Sequence, residues 1–209
     1  MAQIGGRSPP KYRSTAPVTV TAAAWQERIP AAAVPLSQTE YYRRHGADER
    51  TVSLVSLSGG AYGTQIEKIV RATLGLEARG RTVAGKASTG HDARLNGVRI
   101  EIKATRYTAD GCGPFKAQHI QATHDFDLLL AVLLELNGDL VIIGITKADA
   151  IAHGLGNPMS REDFTAQGSN GSDQGHWIKF MDAERFFTPL TSRADLEKLA
   201  ERARPAAAP

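Results

Sequence analysis

Two carboxylates and an ammonium, Asp92, Glu101 and Lys103, stand in a spacing that can build a metal site. Eight residues separate Asp92 from Glu101, and Asn96-Gly97 lies at their midpoint. Asn-Gly between alternating residues predicts a β-hairpin, because a type I′ turn needs positive φ at both central positions. Counting outward pairs Leu95 with Val98, Arg94 with Arg99, Ala93 with Ile100 and Asp92 with Glu101. Directly paired residues project to the same side of a sheet, and side chains alternate with period two. One face then carries Ala93, Leu95, Val98, Ile100, Ile102 and Ala104, which is a core face. The other carries Asp92, Arg94, Arg99, Glu101 and Lys103. Carboxylates opposite one another, Cβ atoms about 5 Å apart, destabilise a sheet unless something neutralises them. A hard divalent cation would do so, since Mg²⁺ is held by one or two carboxylates plus waters and phosphate oxygens. A solvated charged face is the competing explanation of the same pattern.

The surrounding elements must position this hairpin. Ser37-Gln38-Thr39-Glu40 suggests a short helix. A helix over 64–75 follows, with Ile66, Ile69, Val70 and Leu74 on one face and Gly75 at its end. Within it Thr64-Gln65-Ile66-Glu67 reads as a capping box. Phe115 to Thr123 suggests a short helix, with Gln118 and Gln121 three apart on one face. Asp127 to Leu136 and Leu140 to Thr146 are apolar runs separated by Asn137-Gly138, fitting strands buried on both faces. A short helix over Lys147 to His153, a polar loop at 168–175, a strand from His176 and a terminal helix from Ser192 to Arg204 complete the pattern. The implied fold is a single α/β domain over 36–203, helices against a central sheet. Residues 1–35 read as a flexible N-terminal arm, with a short helix near Trp25, and 204–209 as a disordered tail.

Composition narrows the class. The chain is 42% hydrophobic and 22% charged over 209 residues, enough for one domain with a real core. A net charge of +3 permits a polyanionic partner without demanding one. No apolar run is long enough to span a bilayer, and no signal core opens the chain, which points to the cytoplasm. The lone Cys112 excludes an internal disulfide, and its Asp-Gly-Cys-Gly-Pro setting reads as a loop rather than a nucleophile's. His119 and His124 are five apart, off a common helical face, so a zinc site is not expected.

Asp92 followed by Glu101-Ile102-Lys103 resembles the core motif of the PD-(D/E)xK nuclease superfamily, which includes many restriction endonucleases. The resemblance covers about residues 60 to 146, with His91 where the motif's proline would stand. It implies a restriction-endonuclease-like core, a central mixed β-sheet flanked by helices, with the order helix, three strands, helix, strand. It also implies a metal-dependent endonuclease that hydrolyses phosphodiester bonds in double-stranded DNA, a Type II restriction enzyme in first place. Asp92, Glu101 and the Ile102 carbonyl would hold Mg²⁺, with Mn²⁺ as a substitute, and Lys103 would orient the attacking water. Glu67 would help orient the metal or its water, against the capping-box alternative. Gln118 and Gln121 would contact that water or a phosphate, and His176, in or beside a recognition segment at 157–176, would contact DNA. A homodimer and a cognate DNA methyltransferase acting on the same site are the further partners implied. A repair, junction or nicking nuclease of the same fold, and a non-catalytic DNA-binding protein, are the alternatives.

Overall fold

The computed structural model describes residues 37–79, 90–107, 115–157, 163–166, 175–180 and 185–204. The expectations for the N-terminal arm, the Cys112 loop, most of the polar loop at 168–175 and all but the first residue of the tail lie outside those residues. Within them the protein is α/β. Five helices, α1 (Gln38–Arg44), α2 (Glu49–Val55), α3 (Gly59–Leu74), α4 (Lys147–Ala152) and α5 (Arg193–Ala203), accompany nine strands. Six strands form a mixed sheet in the order β1 (Glu77–Ala78), β2 (Ala93–Leu95), β3 (Val98–Arg106), β5 (Leu128–Leu134), β6 (Leu140–Thr146), β9 (Thr188–Leu190). The other three, β4 (Lys116–Ile120), β8 (His176–Lys179) and β7 (Thr165–Ala166), form a small antiparallel sheet. No helix among the described residues is long and apolar enough to cross a membrane.

β5 explains why the molecule has two cores. Its residues are all buried, and their alternation divides them between opposite faces. Leu128, Leu130, Val132 and Leu134 pack with Tyr62, Ile66, Val70, Leu196 and Leu199 from α3 and α5. Leu129, Ala131 and Leu133 pack on the other side with Phe115, Ala117, Ile120, Ile178 and Phe180 from the small sheet and its flanks. A strand covered twice has no polar face to present, hence the unbroken Leu/Val run. β6 follows only in its second half: Val141 is exposed and Ile143 to Thr146 are buried.

The Asn96-Gly97 turn forms as expected, with φ of 49° and 85°. Leu95 pairs with Val98, Arg94 with Arg99 and Ala93 with Ile100. β3 then runs parallel to β5, with Glu101 beside Leu129 and Lys103 beside Ala131. Ala93, Leu95, Val98, Ile100 and Ile102 are buried in the first core, as their parity requires.

Two expectations fail here. The helix predicted over 115–123 is strand β4, so Gln118 lies on a strand, and Gln121 follows its end. The cause is a β-bulge: the ladder with β8 shifts between Ala117 and Ile120, and His119 adopts φ 58°. One extra residue turns the strand's period from two to three locally, so Ala117 and Ile120 both face inward and mimic helical spacing. The order helix, three strands, helix, strand is therefore not reproduced between β3 and β5 among the described residues. The second failure is the start of α3, which begins at Gly59 with Ser58 as its N-cap. Thr64 lies inside the helix and its hydroxyl donates to the Gly60 carbonyl at 3.0 Å. Glu67 consequently cannot be the third residue of a capping box. Ile69, assigned to the apolar face, is exposed, and Tyr62 takes its place in the core.

Candidate metal centre

β2 is only three residues long, and this shortness makes the site. Its ladder with β3 stops at Ala93–Ile100, so Asp92 is not a ladder partner of Glu101, as the counted register would have it. The chain bends at Asp92 instead. Its amide still donates to the Ile100 carbonyl at 2.8 Å, while its carboxylate Oδ2 accepts from the Ile102 amide at 2.8 Å. The side chain thus takes over the hydrogen bond that a longer strand would have made. A residue's amide and carbonyl point to the same edge of a strand, so the Ile102 carbonyl is directed toward the Asp92 side. Among the described residues no strand pairs with Ile102 there.

Glu101 is 6% exposed, an unusual degree of burial for a carboxylate. Its Oε1 lies 2.7 Å from the Lys103 ammonium, whose side chain is partly covered. Glu67 belongs to a half-buried row on α3, Gly63, Glu67 and Arg71, one step around the helix from the buried row Tyr62, Ile66, Val70 and Leu74. The helix therefore buries one stripe and brings the adjacent one within electrostatic reach of β3. Burial raises the Glu67 pKa, Arg71 works against that, and Glu101 adds to it. Asp92 is affected more. Burial first, then the negative charge of Glu101, push its pKa up to about 7, with Glu67 contributing and the Ile102 hydrogen bond and Lys103 opposing.

Three carboxylates and one nearby lysine thus share a partly buried space. Among the described residues no three His, Cys, Asp or Glu side chains are arranged to ligate one ion. The oxygens that could hold a cation here are the carboxylates of Asp92 and Glu101 and the carbonyl of Ile102. Oxygen donors of this number and charge suit Mg²⁺, which keeps several waters and takes up phosphate oxygens. Glu67 acts on Asp92 through its charge.

The remaining candidates lie on the small sheet and its flank. Gln118 is exposed on β4, and Gln121 is half-buried just beyond it. His176 is buried at the start of β8, its Nε2 3.3 Å from the Asn157 carbonyl. Sequence reasoning missed the role of Arg71, although its four-residue spacing from Glu67 on a helix was a usable signal. It also missed Thr105, which continues the alternation of Glu101 and Lys103 and whose hydroxyl accepts from the Lys116 amide at 3.1 Å. No protein-family model and no curated protein matches the chain, so the meaning of this site rests on its own geometry.

Proposed function

We propose that this protein is a Mg²⁺-dependent endonuclease acting on double-stranded DNA, with a PD-(D/E)xK site formed by Asp92, Glu101 and Lys103 on a restriction-endonuclease-like core. The observation that carries this reading is the cluster itself. A buried Glu101 in contact with Lys103, beside an Asp92 whose ionisation is opposed by burial and by Glu101, is an arrangement that a bound cation stabilises. Clustered carboxylates whose pKa values are driven away from the ordinary range mark functional sites more often than structural ones.

Mg²⁺, when bound, supplies polarisation of the scissile phosphate and a water acidic enough to attack it. Asp92 and Glu101, ionised, would hold the ion together with the Ile102 carbonyl. Lys103 sits one alternation along β3 from Glu101 and on the same face, where its ammonium orients the water and offsets charge developing on the phosphate. Glu67, at the edge of the cluster, tunes and orients the ligands. Restriction of a defined sequence by a homodimer, with a partner methyltransferase protecting the same site, is the biological role we favour.

Incubation with mixed plasmid and phage DNA, with Mg²⁺ or with chelator, tests this on a gel. Discrete Mg²⁺-dependent fragments support a restriction enzyme. Nicked or relaxed plasmid keeps the nuclease and replaces restriction with a repair or nicking role. Unchanged DNA, across several DNA sources and with Mn²⁺ tried as well, overturns the enzyme reading.

A further inference from the structure

The small sheet has an outer face that the catalytic cluster does not use. Ala117 and Ile178 are paired across β4 and β8 and point into the second core. By alternation their neighbours Lys116, Lys179 and Trp177 point outward. Lys116 and Lys179 are direct cross-strand partners, a like-charge pair that weakens a sheet. Both ammoniums lie over the Trp177 ring, 4.7 Å and 5.4 Å from its centre. Among the described residues neither lysine pairs with a carboxylate. The indole's negative face offsets part of the repulsion and holds two flexible side chains in place. The result is a pair of cations positioned in advance, with no carboxylate paired to either among the described residues.

The start of β4 touches the strand that carries the candidate centre. Glu101, Lys103 and Thr105 follow one another on one side of β3, and Lys103 to Thr105 is about 7 Å along the strand. Thr105 accepts the hydrogen bond from the Lys116 amide that begins β4. A strand of DNA whose scissile phosphate lay at Lys103 would have further phosphates within reach of Lys116. Backbone phosphates fit two ammoniums better than base edges do, because an ammonium is a point charge with no planar fork for reading bases.

We propose that Lys116 and Lys179, held by Trp177, form a phosphate clamp that grips the DNA backbone beside the scissile bond without reading its sequence. This rests on the nuclease reading above. The clamp neutralises two phosphates, so it sets part of the salt dependence of binding: log affinity falls with log salt by a slope of about 0.9 for every phosphate neutralised.

The test uses the full chain and a random-sequence duplex in metal-free buffer, so that binding is read without cleavage. Lys116→Gln with Lys179→Gln is expected to flatten the salt slope by about 1.8. Trp177→Leu, which keeps both charges but removes their support, is expected to weaken binding several-fold with most of the slope retained. A readout that does not depend on these variants folding comes from Trp25→Phe, which leaves Trp177 as the sole indole. Its emission should change on adding duplex and not on adding the same concentration of inorganic phosphate. An unchanged slope in the double variant, an indifferent Trp177 emission, or an equal response to inorganic phosphate would overturn the clamp while leaving the nuclease standing. A wild-type chain that neither binds nor cleaves DNA would overturn both.

Discussion

Two charged clusters sit on the same face of the same hairpin, and they are built on opposite rules. At one end Arg99 meets Asp127 through both carboxylate oxygens, at 2.9 and 2.6 Å, and also contacts Asp125. Burial opposes ionisation of Asp127, but hydrogen bonds from the Arg99 side chain and amide outweigh it, and its pKa lies below the usual range. Two residues along β3, Glu101, Asp92 and Glu67 share Lys103, and there burial and mutual repulsion win, raising Asp92 and Glu67. The first cluster is complete and fixes the start of β5, whose preceding amide, that of Asp127, donates to the Arg99 carbonyl at 2.9 Å. The second, on our proposal, is completed by a cation. Near-identical residue types one alternation apart therefore do different work, and the difference lies in whether each charge finds its partner within the fold.

Substitutions should separate the two clusters. The largest effect is expected from Lys103→Ala, which should cut DNA cleavage on the order of a thousandfold while leaving DNA affinity within a few-fold, measured by gel shift. A cleavage rate equal to wild type would place Lys103 with the structural charges. Arg99→Ala should act in the reverse sense. Leaving Asp127 without its partner should lower unfolding stability by about 3 kcal/mol in urea titrations, with cleavage per folded molecule close to normal. Glu67→Gln should reduce cleavage about tenfold without lowering the melting temperature, since the residue is not a helix cap.

Asp92→Asn should show the most informative pH dependence. With a folded pKa near 7 against an ordinary 3.8, the native state keeps a proton that the unfolded chain has released. The contribution of Asp92 to metal-free stability should therefore fall as pH rises from about 4 to about 7 and then level off. Asparagine does not titrate and can still accept from the Ile102 amide. Its advantage should be absent at pH 4, grow as pH rises through the Asp92 titration and be largest at pH 8, read from thermal melts in chelator. A variant less stable than wild type at pH 8 would mean that Asp92 is stabilised, not strained, by its neighbours.

How much of this was legible in the sequence follows from the range of the interactions involved. The Asn96-Gly97 turn, the buried β5 run and the terminal helix α5 depend on residues close in the chain, and each formed where expected. That Asp92 feels the charges of Glu101 and Lys103 was legible for the same reason, since one tight turn brings their strands together. The bend at Asp92 was not, because it depends on β2 ending early. β4 was misread because a bulge at His119 gives a strand the spacing of a helix. The start of α3 was placed too late because Gly59, Gly60 and Gly63 are poor helix formers whose cost is offset by tertiary packing, of Tyr62 above all. Arg99 was visible as a charge on the motif face, but its partner Asp127 lies 28 residues away and only the β3–β5 pairing brings them together.

The most direct test of the Asp92 cluster is the initial rate of plasmid cleavage by the wild-type protein as Mg²⁺ is titrated, at pH 6 and at pH 8. A proton and the cation compete for Asp92, whose metal-free pKa is near 7. The expected result is no cleavage in chelator and saturation at a distinctly lower Mg²⁺ concentration at pH 8 than at pH 6. Cleavage that persists in chelator, or no cleavage at any Mg²⁺ concentration, would contradict the assignment of Asp92, Glu101 and Lys103 as a metal-dependent nuclease site.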